Sequence, residues 1–324
     1  MTLPQQLRKR INFQGEFEEL FKDVCESFRL GSYVAFSFIE MGYEDVNIKL
    51  TTTKGFFFVK IFAESREDSE CLRLINIVKI ALDNGVTHPA FIKRDQGYIY
   101  RNQYEQFKIR LSVFEFIEGK TFFELRRNPD ISELKKIIKI AATINEIGYK
   151  PLPIYDSWAI VNFVEELKKA RRYLDEKTLK IMDKLKEEFG KVKIKDLPHS
   201  LVHGDLISTN LMKDKKLIYC VDFSVANYYP RIIELAVMMC DIMFDPSGKT
   251  SVEEYYKFLL SEYGKNIKLT DKELEVLPLF IKLAHAMHVV RGTRAQAKKD
   301  TSAETEHWIS LGKKGLAQTL KVWK

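Results

Sequence analysis

The sequence predicts an α+β chain of two lobes, a small N-terminal lobe with an antiparallel sheet and one helix, and a larger, mainly helical C-terminal lobe. Three observations predict it. The first third carries β-rich runs that alternate between two faces. After Gly119 the apolar spacing turns helical and stays so almost to the end. One pair of short apolar runs, around 200–203 and 217–223, interrupts the helices.

Taken in order, Phe17 to Leu30 has helical apolar spacing and stops at Gly31. Tyr33–Ile39, Val46–Thr53 and Phe56–Ala63 read as strands, the last two joined at the turn Lys54-Gly55. A helix follows from about Glu67 to Asn84, closed by Gly85. Tyr98–Tyr100 and Ile109–Phe116 read as two more strands around the turn Asp95-Gln96-Gly97. Helices are then predicted over Ser132–Ile147, Ile160–Tyr173, Glu176–Glu188, Ile232–Phe244 and Val252–Tyr263, with two or three beyond Asp271. The junction falls near Glu115 to Lys120. Ser200–His203 and Leu217–Phe223 are β-favouring, with Lys213–Lys216 as a polar turn, and are expected to pair as a hairpin.

At 324 residues the chain can bury a sizeable core in one large or two modest domains. No apolar stretch reaches membrane-spanning length, and Met1–Phe13 lacks the apolar core of a signal peptide. Cys25, Cys71, Cys220 and Cys240 lie in apolar surroundings without metal-ligand spacing, so reduced core thiols in a cytoplasmic protein are expected. His285 and His288 share a helical face without nearby acids, which gives no metal site. The formal charge of +7 suits an anionic partner. The Lys-rich stretches alternate with Glu and Asp, as solvated helix faces do, and no nucleic-acid-binding signature accompanies them.

The chemistry is concentrated in His203-Gly204-Asp205-Leu206, followed by Asn210 and by Val221-Asp222-Phe223. Phosphoryl transfer asks a protein mostly for positioning and charge neutralisation. One carboxylate orients the attacking hydroxyl, while an amide and a second carboxylate hold the metal ions that bridge the phosphates. In protein kinases the loop reads H-R-D-x-x-x-x-N and is followed by D-F-G. Asp205 and Asn210 keep that spacing, and Asp222 ends the next apolar run. Mg2+ prefers hard oxygen ligands and commonly takes one or two carboxylates.

A second signal lies in the N-terminal lobe. Lys60 shares one face of its strand with Phe56, Phe58 and Phe62. A Lys in so apolar a run needs a partner, since an isolated buried ammonium is costly. In the kinase arrangement it binds the α- and β-phosphates and pairs with a Glu on the next helix, for which Glu70 is the first choice and Glu67 the second.

The loop H-G-D-L-x-x-x-N with the following V-D-F resembles the aminoglycoside phosphotransferase and choline kinase superfamily, which has a protein-kinase-like fold. Within it the chain looks most like the homoserine kinase type II and hydroxylysine kinase branches. The likeness runs from about Phe36 to the C-terminus and is strongest over Leu201–Phe244. It implies Asp205 as catalytic base, Asn210 and Asp222 as Mg2+ ligands, and ATP as phosphoryl donor. It also implies a short nucleotide-covering turn at Gly42-Tyr-Glu-Asp-Val-Asn47, where Gly42 and Asn47 stand, and a linker at Glu115, Phe116 and Ile117 whose backbone holds the adenine. Residues 1–114 are then a nucleotide-binding lobe, 115–120 a hinge and 121–324 the lobe with catalytic loop and acceptor site. Ser224 departs from the Gly of protein kinases and the acid of many relatives.

Two features point to the acceptor. Gly204 replaces the Arg that in protein kinases often pairs with a phosphorylated activation loop. Only about ten residues separate Phe223 from the helix near Ile232, too few for a peptide-docking segment. A small hydroxylated acceptor is therefore expected ahead of a protein, and a catalytically silent nucleotide-binding protein is disfavoured because every catalytic position is filled. Relatives hold a cationic amine with acids near the following helix. Glu234, Asp241 and Asp245 fall on roughly one helical face there, and Glu234 or Asp241 is expected to read an amino group, as on homoserine, hydroxylysine, an aminoglycoside or choline.

Overall fold

The computed structural model describes residues 3–39, 45–104, 107–300 and 302–323. They fall into two compact units, residues 1–82 with 88–119, and residues 83–87 with 120–324.

The first unit opens with α1 (Leu3–Arg10) and α2 (Phe17–Ser27). The strands β1 (Tyr33–Ile39), β2 (Val46–Thr52) and β3 (Gly55–Ile61) follow, then α3 (Asp68–Asp83), β4 (Tyr100–Tyr104) and β5 (Phe107–Glu115). The five strands form one antiparallel sheet in the order β1-β2-β3-β5-β4. Phe17, Leu20, Phe21 and Val24 of α2 pack with Ile48, Leu50, Val59 and Leu111 in a single buried cluster, joined by Leu7 and Ile11. The sequence reading passed over α1 because its residues are mostly polar; the signal was Leu7 and Ile11, four apart and both buried. The strand expected at Tyr98–Tyr100 begins at Tyr100 instead, after a tight turn in which Arg94 and Gly97 exchange backbone hydrogen bonds.

The second unit runs β6 (Lys120–Thr121), α4 (Ile131–Glu146), α5 (Phe163–Ala170), α6 (Glu176–Gly190), β7 (His199–Val202), β8 (Leu211–Asp214), β9 (Leu217–Cys220), β10 (Asn227–Pro230), α7 (Ile232–Cys240), α8 (Val252–Tyr263), α9 (Asp271–Ala297) and α10 (Ala303–Val322). Helix α9 is buried almost continuously from Phe280 to Val290, as a helix surrounded by others must be; α5, α6, α7 and α10 pack against it. Capping boxes at Asp130, Ser251 and Thr270 fix the starts of α4, α8 and α9. The four cysteines are buried free thiols.

Three expected elements are rearranged. Ser200–His203 does not pair with the Leu217 run: β7 pairs with β10, and the hairpin is β8 with β9, with Leu211 opposite Cys220. Strand β8 was hidden in the sequence because Lys213 and Asp214 look like turn residues. The helix expected over Ile160–Tyr173 is α5 flanked by two single 3-10 turns. Helix α7 stops at Cys240, short of Phe244, because Asp241 leaves helical geometry at φ −129° and ψ −85°.

Helices α9 and α10 approach closely at two glycines. A Cβ on Gly315 would lie 2.1 Å from the ring of His285, and one on Gly312 2.6 Å from the His285 carbonyl. Alanine favours a helix over glycine by about 1 kcal/mol, whereas overpacking a tight core costs roughly 1–3 kcal/mol or more. His285 is fully buried, so its ring has nowhere to go and the steric cost wins. Gly315→Ala should lower the stability measured by urea denaturation; an unchanged or raised midpoint would show that the helices separate freely here.

Candidate active site

The loop from His203 to Asn210 leaves the buried strand β7 and is tied down along its length. His203 is fully buried, and its Nε2 lies 3.1 Å from the carbonyl oxygen of Val221. Its Nδ1 lies 3.2 Å from the backbone nitrogen of Asp205. The two contacts fit one neutral tautomer, with Nε2–H donating to Val221 and Nδ1 accepting from Asp205. Burial pushes the imidazole down to about 4, against the pull of Asp222, so it stays neutral. Gly204 has φ +80°, a conformation that glycine enters without strain. A glycine at this position therefore has a backbone reason.

Asp205 and Asn210 are in direct contact. The Asn210 Nδ2 donates to Asp205 Oδ2 at 2.6 Å and to the Asp205 carbonyl at 3.0 Å. The Asn210 carbonyl accepts from the Val221 N–H at 2.9 Å, which sets Asn210 beside Asp222. Asp222 adopts a left-handed conformation (φ 65°, ψ 71°), and its carboxylate accepts from the Ser224 N–H; Asp enters this region more readily than most residues. Burial pushes the Asp205 carboxyl up to about 8, with further rises from the charges of Asp156, Asp222 and Asp241, opposed by the Asn210 hydrogen bond. So large a displacement of an acid is characteristic of functional sites.

Asp156 was not singled out in the sequence. It lies between α4 and α5 in a stretch without periodicity, where only the fold brings its charge to bear on Asp205. It is buried, and its Oδ1 accepts from the Trp158 N–H at 2.8 Å. A row of rings accompanies it. Trp158 meets His288 at 6.2 Å, and His288 meets Trp308 at 4.9 Å. Trp308 packs in turn with Ile207 of the loop and with Phe244.

Glu234 and Asp241 take places other than those expected. Glu234 is fully buried, and its carboxylate accepts from the His203 N–H at 2.6 Å and the Gly204 N–H at 3.4 Å. Burial raises it to about 7, while those two backbone hydrogen bonds pull it down. Asp241 accepts from the Ser208 N–H at 2.6 Å. The two acids thus grip the His203–Asn210 loop by its backbone at His203, Gly204 and Ser208. They do not share a helical face with Asp245, because α7 ends before Asp241. Nor is Arg231 a partner of either: it forms a bidentate pair with the buried Glu273 at 2.7 and 2.8 Å.

In the first unit Lys60 is buried on β3, opposite Asn47 on β2 and Ser112 on β5. Its Nζ lies 3.5 Å from Asp45 Oδ2, while Asp45 Oδ1 receives Arg66 Nε at 2.8 Å and the Ala63 N–H at 3.0 Å. The partner shown is therefore Asp45, rather than Glu70 or Glu67. Glu70 is turned to the start of its own helix, where its carboxylate accepts from the Glu67 N–H at 2.8 Å. Asn47 is a strand residue instead of a turn residue, and Gly42 lies outside the described residues. Glu115 ends β5 and gives its N–H to the Ala90 carbonyl. Phe116 packs on Phe56, with the Lys49 ammonium 4.1 and 4.7 Å from the two ring centres. Ile117 follows in the segment after β5.

A metal ion would find suitable atoms at Asn210 and Asp222. The amide nitrogen of Asn210 is committed to Asp205, which leaves its oxygen as the group to offer. Asp205 and Asp222 repel one another, a strain that a cation would relieve. Among the described residues no group of three or more His, Cys, Asp or Glu could hold a metal unaided. That agrees with a cation held by few protein oxygens and completed by phosphates.

A partly buried acid held to an amide with a second acid on the adjoining turn, in the helical unit, and a buried Lys on the antiparallel sheet of the other unit are the arrangement of the protein-kinase-like fold. The chain belongs to the phosphotransferase enzyme family, whose model matches residues 35–266. It is similar to the homoserine kinase of Rhizobium meliloti (strain 1021), with 21% identity over 258 residues that cover 78% of this chain and 77% of that protein. Among solved structures it is similar in fold to amicoumacin kinase hAmiN in complex with AMP-PNP, Ca2+ and Ami, with a TM-score of 0.68 and 17% identity over 97% of this chain and 96% of that one. A microcompartment-associated aminopropanol kinase has a TM-score of 0.65 at 14% identity, over 94% of this chain and 96% of its own.

Proposed function

We propose that the protein is an ATP- and Mg2+-dependent kinase that phosphorylates a hydroxyl of a small amine-bearing molecule in the cytoplasm. The observation that carries this is the Asp205–Asn210 contact beside Asp222. Asp205 accepts a hydroxyl proton or orients the hydroxyl, a role that a carboxyl raised by burial suits. Lys60, held by Asp45, binds the α- and β-phosphates, and the backbone of Phe116 and Ile117 borders the adenine. Asn210 and Asp222 hold the metal. When bound, the cation would neutralise the charge of the phosphates. The neutral His203 and the acids Glu234 and Asp241 fix the loop so that Asp205 needs no reorganisation during turnover.

For the acceptor amine, Asp156 replaces Glu234 and Asp241 as the residue of choice. Its charge reaches Asp205, and the half-exposed Trp158 next to it offers an aromatic face to a cation. The relatives named homoserine kinase and aminopropanol kinase support an amino alcohol. An ATP-consumption screen with Mg2+ over homoserine, hydroxylysine, aminopropanol, choline, ethanolamine and aminoglycosides tests the reading. At least one amine-bearing alcohol should be turned over; nucleotide binding without turnover of any of them would favour a silent nucleotide-binding protein, and phosphorylation of peptides alone a protein kinase.

A further inference from the structure

A basic pocket lies on the same chain segment as Asp156. Tyr155 and Ser157, the residues on either side of Asp156, line a cavity of about 360 Å3 with Lys169, Arg291, Arg294 and Lys298. That volume is at the small end of ordinary ligand sites. The one carboxylate in its wall is Glu166, which is fully buried.

Glu166 is saturated. Its Oε1 accepts from the Tyr155 hydroxyl at 2.6 Å and from Lys169 at 2.8 Å, and its Oε2 from Arg291 at 2.8 Å and Arg294 at 2.7 Å. Burial alone would raise its carboxyl, but the hydrogen bonds from Lys169 and Tyr155 and the charge of Arg291 outweigh that and hold it at about 2. It is therefore a fixed anion that organises the cations around it. Glu165 adds a weaker contact to Lys169 at 3.5 Å.

The cations are not saturated in return. Four positive side chains face one carboxylate in the wall. Each guanidinium has five N–H donors in a planar fork, and each gives one to Glu166. The Nε of Arg291 is buried without a hydrogen-bond partner among the described residues. Its guanidinium carbon lies over the Trp158 ring, 5.3 Å from the ring centre. A pair of oriented guanidiniums with donors to spare, flanked by two ammoniums, is the arrangement that carboxylates and phosphates select.

We infer that this pocket is a binding site for a small molecule bearing a carboxylate or phosphate, held by Arg291, Arg294, Lys169 and Lys298. Binding there needs no phosphoryl transfer at Asp205. The anion has two possible sources: the acceptor's own acid group, reaching around the Tyr155–Trp158 segment, or a separate small anion.

Calorimetric titration of inorganic phosphate and of homoserine into the full chain tests it, comparing wild type with Arg294→Gln/Lys298→Gln. At least a tenfold loss of affinity for either probe in the variant is expected. Weaker homoserine binding with phosphate unaffected assigns the site to the acceptor's carboxylate; weaker phosphate binding with homoserine unaffected assigns it to a free anion. Equal affinities of both proteins for both probes overturn the site. Lys298→Glu leaves every Glu166 contact in place, and the same loss is expected from it should the double variant unfold.

Discussion

Replacing Asp205 with Asn is expected to lower kcat by about 10²- to 10⁴-fold, the usual contribution of a positioned acid or base, while leaving nucleotide affinity unchanged. The substitution keeps the shape and the contact with Asn210 but removes the proton acceptor. Full turnover in the variant would remove Asp205 from the chemistry. The same change has a stability signature. Burial, then the charges of Asp156 and Asp222, raise the folded-state carboxyl from 3.8 to about 8. A carboxyl raised on folding contributes stability that is fully present below about pH 4 and is lost as pH rises through about 8. In metal-free protein that loss is on the order of a few kcal/mol. The Tm of the wild type should therefore fall with pH across this window relative to Asp205→Asn, which has no such group. Mg2+ with nucleotide should reverse the loss, raising Tm more at pH 8 than at pH 6. A constant difference in Tm between the two proteins from pH 4 to 8 would show that Asp205 is not strained by its surroundings.

Glu234→Ala should damage both fold and turnover although Glu234 touches no reacting group. It orphans the buried His203 N–H and weakens the hold on Gly204; a buried amide left without a partner costs about 1–3 kcal/mol, and the emptied space adds to that. Displacing the loop by even 1 Å can cost on the order of 10²-fold in rate. Loss of kcat and Tm with an unchanged acceptor KM is expected, with Glu234→Gln intermediate because one acceptor oxygen remains. A raised acceptor KM with kcat and Tm preserved would return Glu234 to amine recognition.

The contact of Asp205 with Asn210 next to Asp222 was legible because the residues are close in the chain. His203, Asp205, Asn210 and Asp222 lie within twenty residues of chain, an acid and an amide on one loop and a second acid just after the hairpin that follows it. Lys60 was legible for a different reason: a single ammonium in a run of phenylalanines breaks the strand's own pattern. Its partner was not, because Asp45 meets it across neighbouring strands, through a register that no local spacing encodes. Glu234 and Asp241 showed the right residue types in the right region, but the sequence could not say which way they face. Read as a regular helix they look outward to a substrate; in the fold the helix ends at Cys240, and both turn in to the backbone of the loop.

By itself, then, the sequence determined the class of fold and the transferred group, since strand alternation, helical periodicity and the acid–amide–acid spacing are properties of neighbouring residues. Tertiary structure decided the support and the surroundings: the buried acids that clamp the loop, the arrival of Asp156 beside Asp205, and the gathering of Lys169, Arg291, Arg294 and Lys298 around Glu166. The contacts made by Glu234, Asp241, Arg291 and Arg294 join residues from about 30 to 130 positions apart. What brings them together is the burial of α9 among its neighbouring helices and of β7 beside β10, a matter of packing that no stretch of sequence expresses alone.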